Sequence, residues 1–349
     1  MVDLESLVRE NIRKLKPYTS ARDEFSGTAS IFLDANENAF GTPLENAAFH
    51  RYPDPYQQKL KEKISDWLAV PVDHIFLGNG SDEAIDLILR VFGQPGQDAV
   101  LIMPPTYGMY QVSAQINDLQ VVEVPLTPSF KLDRQAIEKV ISDKLKIAFV
   151  CSPNNPTGNV FASEEIVWLL EHFKGIVIVD EAYIDFAPQK SVLPLIKQYN
   201  HLIVLRTFSK AWGSAGIRLG MAFANSQIIA WLNKIKMPYN VSELTQQTAL
   251  SLLENIEEKE KRVRQILEQR EWLTEALLQL PMVQKVFPSD ANFLLVRFDH
   301  ADATYRYLME RGIIVRNRSN QIHCQNCLRI TVGTEEENRK LVEELRRIR

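Results

Sequence analysis

The feature that most restricts the fold of this chain is a recurring unit: a short, unbroken apolar run that ends in polar, glycine-rich or proline-rich residues. The run at 75–77 leads into Gly78-Asn-Gly-Ser-Asp82, and the run at 99–103 leads into Pro104-Pro-Thr-Tyr107. The run at 147–150 leads into Ser152-Pro-Asn-Asn155, that at 176–179 into Asp180-Glu-Ala-Tyr183, and that at 202–205 into Arg206-Thr-Phe-Ser-Lys210. Continuous apolar runs of this length mark strands buried on both faces, and helical spacing between them, as over 83–92, supplies the covering layers. The pattern predicts an α/β fold: a large domain with a mostly parallel central sheet.

After Tyr239 the pattern changes. Residues 243–280 read as one long helical region stopped by Pro281, and strand-like runs follow at 292–298, 312–316 and 327–332. Helices are expected around 302–310 and from about Glu335 onward, and Ser163 is a candidate cap for the helix containing Trp168. This predicts a second, smaller α+β domain. The expected division is an N-terminal arm over 1–34 that packs with the small domain, a large domain over 35–248 and a small domain over 249–349.

Charge excludes some partners. Forty Lys and Arg against 44 Asp and Glu leave a net charge of −4, with no basic block. Nothing therefore favours nucleic acid or an anionic membrane. No apolar run approaches the roughly 20 residues of a membrane span, and the charged, amphipathic N-terminus lacks a signal core, so a cytoplasmic protein is expected. The three cysteines, Cys151, Cys324 and Cys327, are too few for a disulfide framework. Cys324 and Cys327 form a CxxC, but a structural zinc site wants four ligands and no second pair exists, so no metal is expected.

In sheets of this kind ligands sit beyond the carboxyl ends of the strands. Five runs deliver polar groups to one such edge. Gly78-Asn-Gly-Ser-Asp82 at a strand-to-helix turn suits a phosphate, although a plain tight turn reads the same way; no Gly-Lys-Ser/Thr or GxGxxG follows. Arg218, eight residues after Lys210, can give the same phosphate a bidentate cation. Asp180 follows four apolar residues and sits near the sheet interior, either as a helix cap or as the partner of a protonated ring nitrogen. Lys210, placed among apolar and cationic neighbours, loses basicity and becomes a nucleophile towards carbonyls. A phosphate cradle, a carboxylate for a ring nitrogen and a nucleophilic lysine together describe pyridoxal phosphate held through that lysine.

At this point a resemblance is evident. The segments LDANEN (33–38), RYPDP (51–55), GNGSDEAID (78–86), PPTYGMY (104–110), CSPNNPTGN (151–159), VDEAYIDF (179–186), RTFSKAWGSAGIRLG (206–220), GIIVRNRSN (312–320) and CLRITVGTEEEN (327–338) span nearly the whole chain. In these the chain resembles the fold-type I pyridoxal-phosphate enzymes of the aspartate aminotransferase superfamily, and within them the class II histidinol-phosphate aminotransferase family. The resemblance implies that Lys210 carries the cofactor and shuttles a proton, and that Asp180 keeps the pyridine nitrogen protonated. It implies that Asn155 and Tyr183 bond the ring's 3′-oxygen and that Tyr107 stacks on the ring. It puts Gly80, Ser81, Asp82, Thr207, Ser209 and Arg218 around the cofactor phosphate, joined by Tyr52 from a neighbouring subunit of a homodimer.

The resemblance further implies that Arg329, with Arg316 and Tyr18, holds the substrate's anion: the phosphate of histidinol phosphate in one half-reaction and a carboxylate of glutamate or 2-oxoglutarate in the other. Trp212 and Ser214 depart from the family's usual smaller and apolar residues, which bears on the pocket wall. Two activities of the same fold are alternatives: decarboxylation of threonine phosphate, and transamination of aromatic amino acids. A ligand sensor of this fold would carry an N-terminal DNA-binding domain, for which the roughly thirty residues before LDANEN are too few.

Overall fold

A computed structural model describes residues 1–21, 31–44 and 49–348. Seven strands form the main sheet: β1 (Ile75–Asn79), β2 (Ala99–Ile102), β3 (Gln120–Glu123), β4 (Leu145–Cys151), β5 (Ile176–Asp180), β6 (Leu202–Thr207) and β7 (Leu219–Ala224), in the order β1-β7-β6-β5-β4-β2-β3. Only β7 runs antiparallel to its neighbours. Side chains along the strands alternate between two cores. Ile75, Leu77, Ala148, Val150, Val177, Val179, Leu202 and Val204 belong to one, and Phe76, Ile147, Phe149, Ile176, Ile178, Ile203 and Leu205 to the other. That period of two, with both sides buried, is why these strands read as unbroken apolar runs. Each fully buried Val, Ile or Phe contributes roughly 1.5–3 kcal/mol.

The reversed strand is what assembles the edge. Because β7 opposes both neighbours, its first residue lies where β1 and β6 end: Leu219 pairs with Asn79, and Gly220 with Thr207. Arg218 is thereby delivered to the carboxyl edge of the sheet, and its carbonyl accepts from Gly80 N–H at 2.7 Å. The approach is close enough that a Cβ on Gly220 would lie 2.2 Å from the Gly80 carbonyl carbon and from Ser81 N. Sequence reading missed β7, since LGMAFA offers no β-branched residue.

The second sheet holds β8 (Val283–Val286), β9 (Phe293–Phe298), β10 (Arg316–Asn317) and β11 (Cys327–Thr331), all antiparallel in the order β10-β11-β9-β8. Several expectations need correction. The helical region 243–280 is two helices, Glu243–Leu253 and Ile256–Leu278. The strand expected at 312–316 contracts to Arg316–Asn317, because Gly312 (φ +73°) closes the preceding helix with a hydrogen bond to Met309 O. The edge strand β8 has an exposed middle and carries no apolar run. Ser163 opens its helix as the first helical residue, while Ala162 N–H donates to Glu165 at 3.0 Å.

The N-terminal residues pack differently from expectation. Leu4, Val8 and Ile12 repeat every four residues and join the core on the main sheet, beside Ile85 and Ile88, rather than the small sheet. Arg9 N–H donates to Val91 O, and Lys234 donates to Arg13 O, holding that segment down. Part of the 1–34 arm, residues 22–30, lies outside the described residues.

Candidate active site

The carboxyl edge of the main sheet encloses a cavity of about 190 Å³. Eleven of the residues picked from the sequence line it: Gly80, Ser81, Asp82, Tyr107, Asn155, Asp180, Tyr183, Thr207, Ser209, Lys210 and Arg218. At one end the helix Gly80–Phe92 starts directly from β1. Its first-turn amides have no intrahelical acceptor, which makes this end attractive to an anion. Thr207, Ser209 and Arg218 close round the same corner, with Thr207 Oγ1 donating to Ser209 Oγ at 3.0 Å. Arg218 stands 3.6 Å from Asp82, and both keep about half of their side-chain surface exposed.

Asp180, the last residue of β5, is 3% exposed. Its carboxylate accepts from the Tyr110 hydroxyl at 2.8 Å and from Ala182 N–H at 3.0 Å. Burial raises its pKa to about 6, with these two hydrogen bonds working against the shift. Next to it Glu181 is buried as an ion pair with Arg206 at 2.9 Å, and Glu181 N–H donates to Leu205 O, so the ends of β5 and β6 are fastened together.

Lys210 follows β6. Its side chain opens to the cleft, and its Nζ stands 5.4 Å from the Tyr183 ring centroid. Partial burial lowers its pKa first, then the positive charge of Arg329, with Asp180 opposing. Cys151 also lines the cavity, and burial pushes its thiol up to about 12, so it stays protonated. Burial likewise raises the pKa of Tyr107 and Tyr183, whose hydroxyls remain donors.

Among the described residues none of the small sheet, Arg316 and Arg329 included, lines this cavity; the small sheet adjoins it through Arg329 and Asn155. Arg329 on β11 donates to Asn155 Oδ1 at 2.5 Å and lies 5.3 Å from the Phe293 ring, which meets Tyr183 edge-on at 5.1 Å. Arg316 pairs with Arg329 across the β10–β11 ladder. The structure does not bring Tyr18 or Tyr52 to the cavity of the same chain. Tyr18 is 76% exposed, and Tyr52 is 52% exposed and stacked on Tyr239 at 4.5 Å. Neither Trp212 nor Ser214 lines the cavity. Trp212 instead packs on Phe208 and Trp67.

Sequence reasoning passed over Tyr110, Cys151 and Arg206. Cys151 and Arg206 were findable as the residues directly after the runs 147–150 and 202–205; Tyr110 gave no signal. A larger surface groove of about 830 Å³ lies at the amino ends of β4, β5 and β6, lined by the N-terminus and by segments 141–146, 170–175 and 198–201. It gathers no comparable set of groups. Among the described residues no cluster of three or more His, Cys, Asp or Glu suits a metal ion, and no helix is long and apolar enough to cross a membrane.

A mostly parallel sheet with a lysine, a buried carboxylate and an anion-binding helix end at its rim defines an α/β transferase of fold type I. Relatives agree. Over 343 residues the chain is 52% identical to the histidinol-phosphate aminotransferase of Cytophaga hutchinsonii, covering 98% of each. The crystal structure of the histidinol-phosphate aminotransferase from Clostridium acetobutylicum superposes with a TM-score of 0.79 at 27% identity, covering 85% of this chain and 90% of that one. The Sinorhizobium meliloti histidinol-phosphate aminotransferase, solved with pyridoxal-5′-phosphate, has the same fold, with a TM-score of 0.79 at 22% identity over 89% of each. Residues 30–345 match the aminotransferase class I and II family, and the chain belongs to it.

Proposed function

We propose that this chain is a pyridoxal-phosphate-dependent transaminase that moves an amino group between L-histidinol phosphate and 2-oxoglutarate, with glutamate as the counterpart. The observation that carries this reading is the rim cavity, in which Lys210 and Asp180 stand beside an anion-binding corner. The residues suit the cofactor. Asp180 is a buried carboxylate whose charge is costly unless a cation meets it, which a protonated ring nitrogen would do. The helix end at Gly80, with Arg218, suits a phosphate.

When bound, pyridoxal 5′-phosphate supplies a carbonyl for amines and a ring that withdraws electrons from the carbon alongside. Lys210 Nζ, made easier to deprotonate by burial and by Arg329, would hold the cofactor and would take and return the substrate's Cα proton. Asp180 would keep the ring nitrogen protonated. Asn155 and Tyr183 would bond the ring's 3′-oxygen, and Tyr107 would stack on the ring. Gly80, Ser81, Asp82, Thr207, Ser209 and Arg218 would hold the cofactor phosphate. Arg329, Arg316 and Tyr18 receive the substrate's phosphate or carboxylate.

The active unit on this reading is a homodimer in the cytoplasm, with Tyr52 reaching the partner's cofactor phosphate. Residues 35–248 would form the large domain and 249–349 the small one. The test is an assay of purified protein with histidinol phosphate and 2-oxoglutarate. Glutamate formation is expected; its absence, with carbon dioxide released from threonine phosphate instead, would reject the reading.

A further inference from the structure

Three arginines stand on one face of the small sheet. The ladder pairs Arg316 with Arg329 and Asn317 with Leu328, and Arg318 N–H donates to Cys327 O at 2.9 Å, which carries the pairing one residue further. Residues opposed in an antiparallel ladder share a face, and alternate residues along a strand return to it. Arg316, Arg318 and Arg329 therefore face the same way as Cys327 and Leu295, which belong to a core of the main sheet. Leu328 and Ile330 face the opposite way, into the small sheet's own core. The arginine-bearing face is the one that reaches Asn155 through Arg329.

The cluster lacks a counter-charge. Among the described residues no carboxylate forms an ion pair with Arg316, Arg318 or Arg329, and the Nε atoms of Arg318 and Arg329 are both buried without an acceptor. Buried donors of this kind are normally bonded. Burial lowers the pKa of Arg318 first, followed by the charges of Arg329 and Arg316; burial also leads for Arg329, ahead of Arg316. Arg318 and Arg329 are partly buried and Arg316 is exposed beside them; like charges gathered on one face without an anion oppose one another. A ligand carboxylate brings one negative charge, which a single guanidinium matches bidentately. A phosphate monoester brings nearly two above a pKa of about 6, and three acceptor oxygens.

We propose that Arg318 is a specificity-determining residue that, with Arg316 and Arg329, fits the second anion site to a phosphate dianion in preference to a carboxylate. This rests on the reading that histidinol phosphate and glutamate use that site in turn. Nothing in the sequence singles out Arg318: only the register of two short strands puts it beside the other two arginines.

The test uses the holoenzymes of wild type, Arg318→Gln and Arg318→Lys, with each half-reaction followed separately by cofactor absorbance. The Gln variant is expected to lose at least tenfold in kcat/KM for histidinol phosphate, mainly through KM. Its glutamate half-reaction should change less than threefold, and the Lys variant should recover part of the loss. The wild-type KM for histidinol phosphate should rise as pH falls through about 6, and this dependence should flatten in the Gln variant. Equal losses in both half-reactions, or no loss in either, would overturn the proposal.

If wild type consumes glutamate but not histidinol phosphate, the functional reading fails on its own. The role of Arg318 is then decided by calorimetric titration of holoenzyme with inorganic phosphate, the cofactor's own phosphate site being filled. Binding weakened tenfold or more in the Gln variant supports the proposal, and equal binding overturns it.

Discussion

The Tyr110 hydroxyl donates to Asp180 Oδ2 across 2.8 Å, with both groups buried. Tyr110 is itself locked, its ring stacked on Phe149 at 4.6 Å and met edge-on by Tyr107 at 5.4 Å. The hydrogen bond lowers the pKa of a carboxylate that burial alone would push higher still. Tyr110→Phe is therefore expected to destabilise the protein at neutral pH by roughly 1–3 kcal/mol, the cost of stripping a buried charged group of a partner. With that partner gone, Asp180 protonates at higher pH, so the acid limb of the kcat/KM profile should move upward. Urea denaturation and a pH–rate profile measure both effects, and an unmoved acid limb would separate Tyr110 from the chemistry.

Asp180→Asn has two opposite consequences. The folded pKa of Asp180, about 6, lies above its ordinary 3.8. The stability that this group contributes is therefore fully present below the ordinary value and is lost as pH rises through about 6. In the cofactor-free protein the Asn variant should gain on wild type across that window, by on the order of 2–3 kcal/mol. Turnover of the holoenzyme should meanwhile collapse. Urea midpoints of the two cofactor-free proteins as a function of pH check the first point; parallel curves would mean that the carboxylate is not strained by burial.

Arg329 acts on Lys210 through space. Its charge lowers the lysine's pKa, so Arg329→Gln should raise it. The pH at which cofactor-free protein, mixed with pyridoxal phosphate, becomes trappable by borohydride should shift upward in the variant. Both half-reactions should also weaken, since the same guanidinium is proposed to hold either substrate's anion. An unshifted trapping profile would argue that the two cations do not sense each other.

Tyr52 offers a test of the proposed dimer. Tyr52→Ala and Lys210→Ala should each be poorly active, and Lys210→Ala should give no borohydride-fixed cofactor. In hybrids of the two, one site collects both defects and the other neither. Co-expressed subunits pairing at random should then regain roughly a quarter of wild-type activity. A mixture no better than its parents would mean that Tyr52 serves its own chain.

The site was legible wherever a group sits at the end of an apolar run. Asp180, Lys210 and the Gly78–Asp82 turn announce themselves because the strands before them are buried on both faces, which leaves the first polar residue at the rim. The rule fails for Tyr110, which lies inside the helix Met109–Ile116, where a tyrosine reads as ordinary core and its partner is 70 residues away. It fails for Arg318, whose direction depends on a pairing with Cys327 that two short strands set. It fails also for β7 and β8, one built of Gly, Ala and Met between better strand formers, the other an edge strand exposed at its centre. The N-terminal segment was assigned to the wrong neighbour because an amphipathic stripe shows that a face is buried but not against what.

The hairpin between β6 and β7 has an evolutionary corollary. Ser209 and Lys210 sit on its outgoing limb and Arg218 on its return, pinned by the pairing of Thr207 with Gly220. Tether and phosphate clamp are thus spaced by one continuous peptide, and a single inserted or deleted residue there would misalign both at once. Lineages descending from this chain should vary freely in length over the exposed turn 142–144, but keep 208–218 at constant length whatever substrate they come to prefer.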